Sequence, residues 1–129
     1  MTLAPLTSTD RLVNVFLNVA RDPLGRATGM LYGYRAGDEL RHVFRLPLVG
    51  AELDMPDSVL SERVFGLLNV GDDPAFGTPD DRALAYRLAN LRSLSVGDVI
   101  ELDNRWLAVA GRGFIPVEQP HIDSISLPF

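Results

Sequence analysis

Few residues in this 129-residue chain have side chains that could do covalent chemistry, and the types that are missing narrow the field. There is no cysteine. Disulfides, zinc fingers, iron–sulfur ligation and thiol nucleophiles therefore drop out together. All twelve basic residues are arginines. A phosphate-cradling P-loop needs its lysine, and Schiff-base chemistry needs an amine nucleophile, so neither fits. Two histidines, His42 and His121, cannot build a three-histidine metal site.

The most informative stretch is Arg92-Ser93-Leu94-Ser95-Val96-Gly97-Asp98. Arg92, Ser93 and Ser95 suit recognition of an anionic group or contact with a protein partner. The same serines and Asp98 equally suit local backbone bonding at a strand entrance. A Ser–His–Asp set can be written from Ser93 or Ser95, His42 or His121, and Asp98, but no G-x-S-x-G elbow accompanies it. Asp72, Asp73, Asp80 and Asp81 gather oxygen ligands of the kind calcium takes, without the EF-hand spacing. Two of those acids have a simpler role at a helix start. The expectation is no catalytic residue, no metal and no cofactor.

Two groups of residues remain as binding candidates. Arg35, Arg41 and Arg45 form a basic group in which Arg41 and Arg45 would project from one strand face. Guanidinium forks there suit phosphate or carboxylate, and the competing reading pairs them with Asp38 and Glu39 in solvent. Trp106, Phe76 and Phe114 are aromatic anchors for a partner protein. For Trp106 the competing reading is core.

The elements that must position these residues read as α+β. Alternation of Val13, Val15, Leu17 and Val19 predicts a half-buried strand over 11–19, with Phe16 misplaced on the polar face. Short strands are expected over 30–34 and 40–48. Leu60, Val64, Leu67 and Leu68 fall at i, i+4, i+7 and i+8 and predict a helix stopped near Asn69 and Gly71. Thr78-Pro79-Asp80-Asp81 starts a second helix that would bury Leu84, Leu88 and Leu91. Strands over 97–102, 105–110 and 114–117 then form a C-terminal three-strand meander. A two-residue turn at Asp103-Asn104 would place Ile100 opposite Leu107 and Glu101 opposite Trp106. The expected architecture is one domain over 11–118, an antiparallel sheet with two helices between its N-terminal strands and its meander. Residues 1–10 read as a flexible arm and 119–129 as a tail.

The net charge of −5 and pI near 4.8 disfavour nucleic acid as a partner. No apolar run reaches the ~18 residues of a membrane span, and no basic, apolar leader opens the chain. A cytoplasmic location is expected.

Three blocks carry a resemblance. They are E-R-V-F-G-L-L-N-V (Glu62–Val70), R-S-L-S-V-G-D-V-I-E-L (Arg92–Leu102) and R-W-L-A-V-A-G-R-G-F-I-P-V (Arg105–Val117). Their order resembles the YodL-like domains of bacteria and their mobile elements, over roughly residues 60–118. Two departures stand out: Pro79–Leu91 reads as an inserted helix, and Leu31–Asp38 matches only loosely. The resemblance implies a small accessory module that interferes with a host protein, with actin-like cell-shape filaments the partner named for the family. The expected function is thus a non-enzymatic protein-binding module, monomeric or homodimeric. The alternative is a nucleic-acid-binding or regulatory protein acting through Arg35, Arg41 and Arg45.

Overall fold

Strand β1 (Leu12–Asn18) organises the sheet because it pairs on both sides. It runs antiparallel to β2 (Leu40–Pro47) and to β3 (Val99–Leu102). The computed structural model describes residues 11–127, so the arm expected over 1–10 lies outside the described residues. From β3 the chain meanders through β4 (Arg105–Val109) and β5 (Phe114–Val117). Asp103 and Asn104 take φ of 49° and 66°, the left-handed values a two-residue hairpin needs. That turn fixes Ile100 opposite Leu107, Glu101 opposite Trp106 and Leu102 opposite Arg105, as the alternation predicts.

The sheet does not end at Val117. Residues expected as a tail lead from the β5 edge to the opposite edge, where β6 (Ile125–Ser126) pairs in parallel with β2. The order is β5-β4-β3-β1-β2-β6, a mixed sheet that is antiparallel except at this last pair.

Three α-helices accompany it among the described residues. α1 (Thr28–Tyr32) replaces the strand expected over 30–34. A Cβ on Gly29 would come within 2.9 Å of the Asn18 side chain, so the start of α1 lies close against β1, and the Gly33 N–H closes the turn on the Gly29 carbonyl at 2.8 Å. α2 (Asp57–Val70) buries the predicted stripe of Leu60, Val64, Leu67 and Leu68. α3 (Asp81–Leu88) starts two residues later than a Thr78 cap implies, capped by Asp80, whose Oδ1 accepts from the Arg82 N–H at 2.8 Å. Its buried residues are Ala83 and Tyr86, while Leu84 and Leu88 are 39% and 86% exposed. Of the expected stripe only Leu91, just past the helix, packs on the core.

The reason is electrostatic anchoring. Arg82 donates to both carboxylate oxygens of buried Glu52, at 2.7 and 3.0 Å, and to Asp80 at 2.9 Å. Its Nη1 also donates to the Pro47 carbonyl at the end of β2, at 2.7 Å. Arg63 of α2 reaches Glu52 at 3.0 Å. These bonds fix the rotation of α3 and turn Tyr86 inward, edge-on to Phe44 at 5.2 Å.

Both faces of the sheet bury apolar side chains. α2 and α3 cover one face, over Val13, Val15, Leu46, Ile100, Leu102 and Leu107. The other face buries Phe16, Leu40, Val99, Trp106 and Ala108 beneath Tyr34, Val117 and Ile125. A central strand covered on both sides has no polar face, which accounts for Phe16. The same cover corrects the interface role of Trp106. It is 9% exposed, with its ring 5.2 Å from Phe16, so it is a core residue and not a partner anchor. His42 stacks on the far side of Phe16 at 4.7 Å.

Two pH dependences follow. Burial alone would raise the Glu52 carboxyl, but Arg82, the Val49 N–H and Arg63 together hold it at about 2, against an ordinary 4.5. Its contribution is complete above pH 4.5 and is lost as pH falls toward 2, because only the unfolded chain then takes up the proton. Glu52→Gln should cost roughly 2–4 kcal/mol at neutral pH. Denaturant unfolding should show that difference shrinking on acidification through this window. His42 titrates higher. Burial, and then Arg45, lower it from 6.5, outweighing the Phe44 backbone bond and Glu101. Stability should therefore decline as pH falls below 6.5, and thermal unfolding of His42→Phe should lack that decline.

Candidate functional site

Asp98 stands at the entrance to β3 with its carboxylate fully buried. It accepts from the backbone N–H of Asn18 and of Ser95, each at 2.8 Å. The Arg92 guanidinium grips both its oxygens, at 2.6 and 2.8 Å. Arg92 also donates to Ser95 Oγ at 3.1 Å and to the Ser93 and Asn18 carbonyls at 3.0 and 3.3 Å. Ser93 Oγ accepts from Arg87 at 3.1 Å. Of the structural reading of this stretch, Asp98 does bond local backbone, while the Ser93 and Ser95 hydroxyls meet the side chains of Arg87, Arg92 and Asp98. Arg92, Ser93 and Ser95 bond within the chain and hold the loop that shapes a cleft beside it.

Asn18 extends the same node. Its side-chain amide donates to Asp38 and to the Gly97 carbonyl, both at 3.0 Å, and its Oδ1 accepts from the Ala20 N–H at 3.0 Å. A Cβ on Gly97, where φ is +96°, would come within 2.6 Å of the Gly29 backbone. The base of α1 is thereby pinned against the loop before β3.

Between these parts lies a cleft of about 440 Å3. The end of β1 supplies Leu17 and Asn18, and the loop into α1 supplies Arg21 and Ala27. Met30 comes from α1, Arg41 and Val43 from β2, and Asn90, Leu91, Arg92 and Val96 from the connection before β3. Asn90 adopts φ of 60° where α3 ends, which swings that connection across the cleft. No acidic side chain lines it. The Asp98 hydrogen bonds raise the Arg92 pKa above the usual guanidinium value, outweighing burial, which lowers it. Arg21 and Arg41 are exposed and have no ion pair among the described residues.

A β-bulge decides which arginines meet here. The β1–β2 register shifts between Val15 and Phe16, leaving Val43 as the extra residue. Arg41 then pairs with Leu17 and Arg45 with Asn14, on opposite faces of the sheet. The expectation that Arg41 and Arg45 share a face is corrected accordingly. Arg35 lies over the Tyr32 ring at 5.0 Å. The group Arg35–Arg41–Arg45 is therefore replaced by Arg21, Arg41 and Arg92. Arg21 carried no spacing signal, since it lies in a loop with Pro23 and Gly25. Its membership depends on the turn through Gly29.

Exposed apolar side chains flank the cleft. On the five-residue α1, Met30, Leu31 and Tyr32 are 53%, 54% and 63% exposed. Leu24, in the loop that precedes it, is exposed too. Phe76 is 70% exposed at a separate groove between α2 and the following loop. Phe114 is half-buried, edge-on to Phe65 at 6.3 Å. His121 is exposed and accepts from the Asp123 N–H at 3.2 Å. Among the described residues no group of His, Asp and Glu is arranged to hold a metal ion, and no helix is long and apolar enough to cross a membrane.

The described residues thus define an α+β protein with a basic, apolar-lined cleft at one end of its central strand. Comparison with protein families, curated proteins and solved structures finds no match to this chain.

The Gly29–Gly97 approach can be checked by a pair of variants. Gly37 has the same left-handed backbone, φ +94°, with nothing near its Cβ position. Gly37→Ala should cost about 1 kcal/mol for the backbone alone. Gly97→Ala adds a backbone clash and should cost roughly 2–4 kcal/mol in equilibrium unfolding.

Proposed function

We propose that this protein is a non-enzymatic binding module that docks on a partner protein through α1 and the cleft beside it. One observation carries the reading. Met30, Leu31 and Tyr32 are consecutive, each more than half exposed, on a helix rigidly pinned through Gly29. Scattered exposed apolar residues are ordinary, whereas a fixed run of three beside a cleft is how interaction sites are built. The expected interaction role of Phe76 keeps support from its exposure, as a secondary contact. Arg92, Ser93 and Ser95 serve the site by shaping its wall. Interference with a host protein, the role the YodL-like resemblance implies, is compatible with such a surface. An actin-like filament stays a family-based candidate partner.

The test is site-specific photo-crosslinking in cells that make the protein. A photoreactive phenylalanine analogue replaces Tyr32 in one variant and Ile122, itself 79% exposed, in another. A discrete adduct at position 32 and none at 122 is expected. Equal, diffuse labelling at both positions, or none at either, would overturn the reading.

A further inference from the structure

We infer that the cleft is a carboxylate receptor, and that the partner segment presents an Asp or Glu side chain flanked by an apolar residue. The inference rests on the binding reading above and names the chemistry of its partner. Three guanidinium groups and no acid line the cleft. Arg92 is neutralised by Asp98 and spends its donors on the loop, so it acts as a wall. Arg21 and Arg41 have no ion pair among the described residues, so their donor forks are free to close on a carboxylate. Between them the surface is apolar, through Leu17, Val43 and Leu91. An anion held against that surface is partly dehydrated, which strengthens its bonds to the arginines.

The volume of about 440 Å3 is within the range of pockets that accept a small ligand or a few side chains. The rim formed by Met30, next to Leu31 and Tyr32, continues the apolar surface outward, so a chain segment can lie across α1 while its acid enters the cleft. Charge balance favours a single carboxylate over a polyanion. The chain carries −5 overall, which repels nucleic acid at long range but not one acid inside a locally positive cleft.

The experiment uses the whole chain and two short acetylated, amidated peptides. One carries a single Glu flanked by Leu, and the other replaces that Glu with Gln. Binding is followed by NMR at the arginine Nε–H resonances, assigned with Arg21→Gln and Arg41→Gln. Both variants should fold, because neither side chain has an ion pair among the described residues. The Glu peptide should shift the Arg21 and Arg41 signals saturably, and more weakly as salt is added. Each variant should weaken binding by roughly tenfold, the size of one lost charge-assisted hydrogen bond. Equal binding of the Gln peptide would overturn the inference and leave apolar docking on α1. Binding of neither peptide, with the Tyr32 crosslink intact, would also overturn it while the docking reading stands. Loss of both peptide binding and crosslink would end both. A short DNA duplex that shifts the two arginines when the peptide does not would assign the cleft to phosphate instead.

Discussion

The buried carboxylate of Asp98 is the interaction on which the rest of this structure depends. A fully buried carboxylate is costly unless every oxygen is bonded and its charge is matched. Here it binds two backbone N–H groups and both arms of the Arg92 guanidinium. Those partners come from the end of β1 and from the connection that precedes β3. The bond set therefore locks the central strand to the loop that enters its neighbour, and it fixes where Arg92 can be. Asn18 carries the constraint on to Asp38 and the loop leading to β2. The cleft exists because these segments are held apart at fixed positions around one charge.

A second buried acid does similar work at the other end of the molecule. Glu52 joins α3, α2 and the loop after β2 through Arg82, Arg63 and the Val49 N–H. Its effect is rotational. It sets which side of α3 meets the sheet, and it leaves Leu88 in solvent although its spacing suits a buried stripe. Arginine suits both nodes, since a planar fork can satisfy a carboxylate and a carbonyl together. Six of the twelve arginines, Arg11, Arg63, Arg82, Arg87, Arg92 and Arg105, pair with an acid on another segment or loop. Arg21 and Arg41, which line the cleft, have no ion pair among the described residues, and that leaves them available to a ligand.

Much of the chain follows from local pattern. The period of two in β1, the i, i+4, i+7, i+8 stripe of α2 and the Asp103-Asn104 turn each specify an element by backbone and side-chain geometry within a few residues. The hairpin register, and with it the two faces of β3 and β4, needs only that turn. The α+β class and the C-terminal meander follow from these elements and are what the structure contains. Asp98 was legible as a backbone-bonding group, because Asp does this over short sequence separations, whereas the Ser93 and Ser95 hydroxyls bond the side chains of Arg87, Arg92 and Asp98 instead.

What tertiary structure alone decided is where long-range partners exist. Trp106 is core because Tyr34, Val117 and Ile125, from three separate parts of the chain, cover the second face, and no local pattern encodes that meeting. The start of α1 packs against Asn18 and Gly97, 11 and 68 positions from Gly29 along the chain. Arg41 and Arg45 part company because one extra residue in β2 reverses the alternation beyond it. The sequence by itself determined the elements, since periodicity and turn chemistry act locally. The cleft of Arg21, Arg41 and Arg92 was decided only on folding, because its members lie 71 positions apart at the extremes, and a buried charge and a bulge bring them together.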